Sequence, residues 1–319
     1  MRWRLRALDE VVSTNDEVKR AIEAGEGEGL AVRARRQSGG YGRDGRAWSS
    51  PAGGLYVSLL LRPSVPASQL PMLPLVAGLA VREALASLAG EAAERIQVKW
   101  PNDVVVTAGA EAAPGAAEAD AAAAQAAGGG ARAARPDEAA AAPKPFRKLC
   151  GISAEAHGGA VCVGIGVNVA RPAEAAPVGG KNEPAYLVDL ADADALARAA
   201  APAAPGAAAP ALAADDTAPA GDAASAAPVP DALASEALAR ILAAFEAAYE
   251  RWQAEGFAPF AASCNACFAL ADRPVSVVDR AGRSLAAGAA FGVDAQGRLL
   301  VRAADGSVHV VASGEAHLV

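Results

Sequence analysis

Aromatic residues make up only 4% of this 319-residue chain, which also has just 3 histidines and 4 cysteines. The cysteines form no regular framework, so the sequence argues against a disulfide-stapled secreted protein and favours a reducing compartment. A basic surplus is missing too, because the formal net charge is −7. This disfavours a nucleic-acid-binding protein. A local basic patch stays an alternative, because the first 46 residues are rich in arginine.

Long, bulky hydrophobic runs are also absent. The hydrophobic fraction of 53% is inflated by alanine, and no stretch predicts a membrane span. The N-terminal residues Met1–Arg6 are not followed by the apolar segment of a signal peptide. We therefore expect a cytoplasmic protein that binds neither membrane nor nucleic acid and is long enough for two domains.

Two stretches contain almost no bulky apolar residues. They cover residues 107–145 and 191–230, approximately, and consist mostly of alanine, glycine, proline and acidic residues. Such segments bury too little apolar surface to offset the entropy of ordering them. We interpret both as low-complexity insertions, the first as an expanded loop between two strands.

The remaining chain shows helix and strand signals in turn. Ser13 or Thr14 is expected to cap a first helix, and apolar patterns predict helices over about Gln69–Ala89 and Ala232–Glu255. The expected strands are Leu30–Ala34, Gly54–Leu61, Ile96–Trp100, Val104–Val106, Leu149–Glu155 and Val161–Val169. From Arg273 onward, short strands separated by glycine-containing turns predict a small β domain.

A run rich in glycine and arginine covers residues 37–48, with the sequence QSGGYGRDGRAW. Glycine lets the backbone approach a ligand closely, and arginine binds phosphate or carboxylate through a planar fork. The run lacks the Gly-Lys-Ser/Thr ending of a P-loop and the helix that follows a dinucleotide fingerprint. We favour a loop that folds over an anionic ligand. Since Arg43 and Arg46 repel each other without an anion, we expect this loop to be open or mobile in the free protein.

Two further polar clusters allow a functional and a purely structural interpretation. Lys99–Asp103 could be only a strand end and a turn, yet its lysine and aspartate also suit phosphate and Mg²⁺. Lys148 could be a solvated strand residue, and Asn168 a core amide satisfied by the backbone. Cys264 and Cys267 have redox or zinc spacing, but no second pair or histidine completes a site, so we interpret them as structural.

Taken together and in their order, these motifs resemble those of biotin protein ligases. The resemblance is carried by Ser13–Asn15, the 37–48 run, Ser50–Gly53, Lys99–Asp103, Lys148–Glu155 and Gly164–Asn168. It implies an α/β (α+β) fold, with a class II synthetase-like catalytic domain of mixed sheet and flanking helices. A small C-terminal SH3-like β-barrel is expected to follow, which sets the expected domains at 1–268 and 269–319.

The resemblance also implies an activity. Biotin and ATP would form biotinyl-5′-AMP with the help of Mg²⁺, and biotin would pass to a lysine of a biotin carboxyl carrier protein, as in acetyl-CoA carboxylase and related carboxylases. The alternatives are a lipoate or octanoate ligase or transferase on the same fold, and a non-catalytic biotin-binding sensor. A DNA-binding domain of the kind that precedes the catalytic region in bifunctional members is not expected.

The resemblance assigns roles to particular residues. Arg43 and Lys148 are the implied catalytic residues, and Asp103 is the implied Mg²⁺ ligand. The implied biotin-binding residues are Ser13, Thr14, Asn15, Gln37, Gly40, Arg43, Lys148 and Gly151. The implied ATP-binding residues are Arg43, Arg46, Trp48, Lys99, Asn102, Asp103, Lys148 and Asn168. The chain departs from the family at Tyr41, where many members carry arginine, and at Val319, where they continue with arginine.

Overall fold

A nine-stranded mixed sheet forms the larger part of the protein, in a computed structural model that describes residues 1–107, 146–172, 183–201, 213–214 and 229–319. The strands are β1 (Arg4–Val11), β2 (Leu30–Gln37), β3 (Leu55–Leu61), β4 (Ile96–Lys99), β5 (Asp103–Thr107), β6 (Phe146–His157), β7 (Ala160–Val167), β8 (Glu183–Pro184) and β9 (Ala213–Ala214). They lie in the order β4-β5-β6-β7-β3-β2-β1-β9, with β8 beside β6. Strand β1 runs parallel to β2 and β9, and β6 runs parallel to β8. The expectation of a mixed α/β sheet is confirmed.

Helices cover both faces of this sheet. They are α1 (Thr14–Glu23), α2 (Leu73–Ala86), α3 (Ala193–Ala200), α4 (Val229–Glu255) and α5 (Ala261–Ala266). Strand β3 shows why two layers are needed, because all of its residues are buried. Leu60 packs with Val18 and Ile22 of α1, whereas the alternate residues of β3 join the main core with α2 and α4. A strand buried on both faces reads as a continuous apolar run, as this one does.

The helix boundaries follow local chemistry. Ser13 caps α1 by accepting a hydrogen bond from the Asn15 backbone N–H, as predicted. The helix expected from Gln69 is shorter, because prolines limit its first turns. A 3₁₀ segment covers Ala67–Met72, and α2 then runs from Leu73 to Ala86. Helix α4 ends at Glu255, before Gly256 with a φ of 72°, which confirms the predicted stop.

The two expected insertions have different outcomes. Residues 108–145 lie outside the described part of the chain. The interpretation of the second stretch, 191–230, as a low-complexity insertion was wrong at its start, because α3 forms over Ala193–Ala200 with Asp192 as its N-cap. Ala195 and Ala199 are buried where α3 packs against α4. Alanine side chains are sufficient to bury this face of α3, since two helices that pack closely leave little volume for side chains between them.

A five-stranded antiparallel sheet forms the C-terminal part, as the turn pattern predicted. Its strands are β10 (Arg273–Val278), β11 (Ser284–Val293), β12 (Leu299–Arg302), β13 (Val308–Val311) and β14 (Glu315–Leu318), in the order β13-β12-β11-β10-β14. The backbone of Val98 in β4 pairs with Cys267 and Ala269, and Trp100 Nε1 donates to Gly297 O at 3.2 Å. These contacts hold the C-terminal sheet beside the β4–β5 hairpin. None of the described helices is long and apolar enough to cross a membrane.

Replacement of residues 108–145 by an Asn-Gly turn is expected to leave the fold intact. Thr107 and Phe146 are directly opposite each other in the β5–β6 ladder, so a two-residue turn can join them. Loop-closure entropy also grows only slowly with length, so little stability depends on the long connection. Thermal melting should agree with wild type within a few degrees. A large fall in the melting temperature would show that the replaced segment packs on the body.

Candidate active site

Two adjoining cavities lie where β6 and β7 meet the 37–48 run, the β4–β5 hairpin and the C-terminal sheet. The larger has a volume of about 710 Å³ and the smaller about 50 Å³. Both are lined by Gly42, Arg43, Trp48, Tyr56, Asn102 and Lys148. A volume of several hundred cubic ångströms is that of an ordinary small-molecule pocket. The structure thus brings together most of the residues that the sequence singled out.

The smaller cavity lies at the N-terminus of α1, where neutral polar side chains line it, while Arg43 and Lys148 stand where it meets the larger cavity. The backbone N–H and hydroxyl of Thr14 both donate to Gln37 Oε1, at 2.7 and 3.0 Å. Gln37 Nε2 in turn donates to Ser50 Oγ at 2.8 Å. Asn15 is 4% exposed, and its Oδ1 lies 2.6 Å from Ser58 Oγ. Buried hydroxyls and amides in this arrangement can bind a neutral polar ring by exchanging some of these hydrogen bonds.

Three glycines form the floor of the cavities. A Cβ at Gly164 would lie 2.4 Å from Asn15 Oδ1, and one at Gly151 would lie 2.9 Å from the Trp48 ring. A Cβ at Gly166 would lie 2.7 Å from Trp48 Nε1. Glycine is required at these strand positions because polar and aromatic side chains lie directly on the backbone. Of the three, only Gly151 was assigned to the site from the sequence.

Lys148 lies at the junction of the two cavities. Its ammonium forms a 2.7 Å ion pair with Asp103 Oδ1 and lies 5.1 Å from the centre of the Trp48 ring. The backbone carbonyl of Lys148 accepts a hydrogen bond from Asn168 Nδ2 at 2.9 Å. The interpretation of Asn168 as a backbone-satisfied amide therefore holds for its NH₂ group, although the residue also lines the larger cavity. Lys148 is not a freely solvated strand residue.

The larger cavity is rich in cationic side chains. Arg43, Arg46, Lys99, Lys148 and Arg280 all line it, facing the carboxylates of Asp44, Asp103, Asp279 and Glu315. Burial lowers the pKa of Lys99 below its usual value, and Asp103 opposes that shift. Asn102 Nδ2 donates to Ile152 O at 2.7 Å, which fixes the hairpin on β6. The cation set suits a polyanionic ligand such as a nucleotide phosphate chain.

The 37–48 run is folded in this structure, and the expectation that it opens in the free protein stays a prediction. Its core is a short hairpin in which Trp48 N–H donates to Gly40 O and Gly42 N–H donates to Arg46 O, both at 2.8 Å. Arg43 Nη1 donates to Gly314 O at 3.0 Å, and Arg46 forms an ion pair with Glu315. These contacts tie the loop to the C-terminal sheet.

Repulsion between the two loop arginines is offset within the chain. Asp44 Oδ2 lies 3.6 Å from Arg43 Nε and 3.7 Å from Arg46 Nη2. Its backbone φ of 59° turns the chain so that the carboxylate sits between them. Asp44 was left out of the predicted charge balance of the loop, which counted only the two arginines.

Some predicted residues do not lie on either cavity wall. Ser13 is occupied in capping α1. Gly40 packs its backbone so closely that a Cβ would lie 2.5 Å from Ser50 Oγ. Cys264 and Cys267 are both buried, and burial raises the pKa of each thiol. Among the described residues, no cluster of three or more His, Cys, Asp or Glu side chains could hold a metal ion.

The structure also adds residues that the sequence did not assign to the site. Tyr56, Tyr186, Arg280, Glu315 and His317 line the larger cavity. Tyr56 lies in a strand that gave only a core signal, so no local pattern could have identified it. Arg280 and Glu315 reach the site only because the C-terminal sheet packs against the loop, which is a tertiary contact that no local pattern predicts.

Comparison with known proteins agrees with the motifs. Residues 10–112 match the model of the Biotin/lipoate A/B protein ligase family, and residues 272–319 match the Biotin protein ligase C terminal domain. A biotin--[acetyl-CoA-carboxylase] ligase of Paracoccus denitrificans is 33% identical over 171 residues, which are 50% of this chain and 55% of that protein. A bifunctional ligase/repressor BirA of Bacillus spizizenii is 40% identical over 80 residues, 25% of this chain and 24% of that protein. The matches thus span between about a quarter and half of these relatives.

The fold agrees with a solved structure over almost the whole chain. A biotin protein ligase from Aquifex aeolicus, in complex with biotin and ATP, superposes with a TM-score of 0.65 at 22% identity. The superposition covers 99% of this chain and 98% of that one. At this identity the likeness establishes the fold. Together with the two domain matches, it confirms the resemblance drawn from the motifs.

Proposed function

We propose that this chain, which has the catalytic and C-terminal domains of the biotin protein ligase family, is an enzyme that adenylates biotin and transfers it to a carrier lysine. The observation that carries the proposal is the junction of the two cavities. A small neutral polar cavity and a large cationic one meet at Lys148, Arg43 and Trp48. Joining a carboxylate to a phosphate requires such a site, because two anions must be brought together.

Biotin would bind with its ureido ring in the smaller cavity, exchanging hydrogen bonds with Thr14, Asn15 and Gln37. ATP would bind in the larger one, with the adenine against Trp48 and the phosphates against Arg46, Lys99 and Lys148. The small cavity has a volume of about 50 Å³, and Trp48 and residues of the loop hairpin form part of its wall. A movement of these elements away from the glycine floor would enlarge it for biotin.

In the first step, a biotin carboxylate oxygen attacks the α-phosphorus, the bond from that phosphorus to the β-bridging oxygen breaks, and pyrophosphate leaves. Lys148 and Arg43 would stabilise the negative charge that builds up around the α-phosphate. In the second step, a deprotonated lysine amine of the carrier attacks the biotinyl carbonyl, and AMP leaves with the carboxyl C–O bond electrons. Closure of the loop would shield the mixed anhydride from water.

Mg²⁺ would supply further charge neutralisation at the phosphates. Asp103 is a single carboxylate paired with Lys148, which fits a Mg²⁺ ion held mainly by the substrate's own phosphates. Asn102 and Asn168 would contact the nucleotide through groups not used in their backbone hydrogen bonds. Ser13 and Gly40 would support the biotin cavity through the α1 cap and the Ser50 packing.

We assign the catalytic domain to residues 1–268 and the C-terminal domain to 269–319. The second would be an SH3-like barrel, in line with its five short antiparallel strands and their tight turns, and the first a class II synthetase-like domain. The proposed partner is the biotin carboxyl carrier domain of a carboxylase such as acetyl-CoA carboxylase. The reaction would take place in the cytoplasm, and the enzyme would bind neither membrane nor nucleic acid.

Two other functions deserve a direct comparison. A lipoate or octanoate ligase would need only an apolar channel for its acyl chain, whereas the smaller cavity presents the polar side chains of Thr14, Asn15 and Gln37 beside its apolar residues. A non-catalytic biotin sensor would have no need for the cations of the larger cavity. Incubation with MgATP, an apo carrier domain and either biotin or lipoate separates all three. We expect a biotin-dependent mass gain of the carrier and release of pyrophosphate. A carrier that gains lipoate instead, or binding without pyrophosphate release, would contradict the proposal.

A further inference from the structure

We propose that Lys19, a residue of α1 outside both cavity walls, is a positioning residue for the biotin pocket. The inference rests on the proposed function and deepens it. The Lys19 ammonium donates to Tyr41 of the loop hairpin at 2.9 Å and to Glu155 of β6 at 2.6 Å. It thereby joins three elements that surround the smaller cavity: the first helix, the glycine-rich loop and the central sheet.

The contact with Tyr41 fixes the loop at its base. Tyr41 also donates its hydroxyl hydrogen to Asp16 at 2.9 Å, one turn before Lys19 on the same face of α1. The Lys19 ammonium lies 5.3 Å from the centre of the Tyr41 ring, within the range of a cation–π contact. Because Tyr41 pairs with Ala47 across the hairpin, a fixed Tyr41 orients the whole hairpin that carries Arg43, Arg46 and Trp48.

The contact with Glu155 fixes a substrate-facing amide. Glu155 Oε1 accepts a hydrogen bond from Asn15 Nδ2 at 3.5 Å, and Ser153 Oγ accepts another at 3.4 Å. These acceptors direct the NH₂ group of Asn15 toward the sheet and its Oδ1 toward Ser58. Lys19 neutralises Glu155, and that keeps the carboxylate beside Asn15 instead of turned out to solvent.

The charges around Lys19 account for its ionised state. Among the described residues, Glu155 and Asp16 are the acidic groups that face it or its tyrosine partner, and Tyr41 and the buried Cys162 thiol are further titratable groups nearby. Burial lowers the pKa of Lys19, but the hydrogen bonds to Glu155 and Tyr41 outweigh that and raise it. Without Lys19, two carboxylates would flank the Tyr41 hydroxyl with no cation between them. The loop base and Asn15 would then lose their common anchor.

Kinetics of Lys19→Met tests this role. Loss of a charged hydrogen bond that holds a binding group typically costs roughly tenfold to a hundredfold in affinity. We expect the KM for biotin to rise by about that factor, because Asn15 contacts the same ring in the ground and transition states, with a smaller fall in kcat where the loosened hairpin displaces Arg43. Lys19→Arg should restore most of the affinity. The matched control is Arg20→Met, which removes an exposed cation from the same helix. Among the described contacts, the Arg20 side chain pairs only with Glu17, so this variant should behave as wild type.

Hydrogen exchange provides a readout that does not depend on activity. In the ligand-free protein, amides 40–48 should exchange faster in Lys19→Met and in the milder Tyr41→Phe than in the wild type. The melting temperature of Tyr41→Phe should be unchanged. A wild-type KM for biotin in Lys19→Met together with wild-type protection in both variants would overturn the inference. If the wild-type enzyme proves unable to use biotin, the proposed function fails, but faster exchange in the two variants would still establish the anchor.

Discussion

Lys148→Ala is expected to slow formation of biotinyl-adenylate by about a hundredfold to a thousandfold, the usual effect of removing one preorganised charge donor. The Lys148 ammonium is fixed by Asp103 at 2.7 Å and by the Trp48 ring, at the junction of the neutral and cationic cavities. A cation held there needs no reorganisation when negative charge builds up between carboxylate and α-phosphate. The measurement is the single-turnover rate of adenylate formation at saturating biotin and MgATP.

The matched control for this variant is Arg147→Ala. Arg147 is the neighbouring residue on β6, so its side chain points to the other face of the sheet, and it lines neither cavity. Its removal should leave the rate within about twofold of wild type, a difference well below one kilocalorie per mole. Thermal melting of both variants separates a loss of chemistry from a loss of fold. A wild-type single-turnover rate in Lys148→Ala would refute the role given to this residue.

Gly166→Val is expected to reduce kcat/KM for ATP by roughly tenfold to a hundredfold, because overpacking of a tight contact costs typically about 1–3 kcal/mol and here also moves a ligand-binding ring. The Trp48 indole lies on the Gly166 backbone, so close that a Cβ would be 2.7 Å from its Nε1. A branched side chain must push the indole into the cavity or tilt the hairpin that carries it. Both outcomes remove the flat surface proposed for adenine.

Nucleotide binding measured by calorimetry or by a fluorescent ATP analogue tests this expectation directly. The matched control is Gly27→Ala, since no heavy atom lies within 4 Å of a Cβ at that position. It should bind nucleotide as the wild-type protein does. Gly166→Ala should show a smaller defect of the same kind, because its single methyl displaces the ring less. Normal ATP affinity in Gly166→Val would mean that the indole is not part of the nucleotide site.

Local signals predicted most elements, and the failures have physical reasons. Strand β1 was not predicted, because Arg4, Arg6, Asp9 and Glu10 interrupt its apolar pattern. It forms because β2 pairs with it in parallel along seven residue pairs. Helix α3 was missed because its alanine-rich sequence resembles the low-complexity stretch around it, and only α4 provides the surface that buries Ala195 and Ala199.

The candidate site divides in the same way. Its ligand-type residues were accessible from the sequence because they lie in short motifs that resemble those of biotin protein ligases: Thr14 and Asn15, the arginines of the loop, Asn102, Asp103 and Lys148. The glycine floor at Gly164 and Gly166 was visible as a motif, but its purpose was not. Only the structure brings Asn15 and Trp48 onto that floor.

The sequence by itself determined the mixed helix–strand pattern, the small β domain at the C-terminal end and the polar motifs that mark the site, because each depends on neighbours a few residues away. The tertiary structure alone decided that Glu315 pairs with Arg46 and that Lys19 joins Tyr41 to Glu155. Residues 46 and 315 are separated by most of the chain, and residues 19 and 155 by 136 positions. Such pairings depend on how layers pack, and packing is a property of the whole fold, which no local pattern of residues encodes.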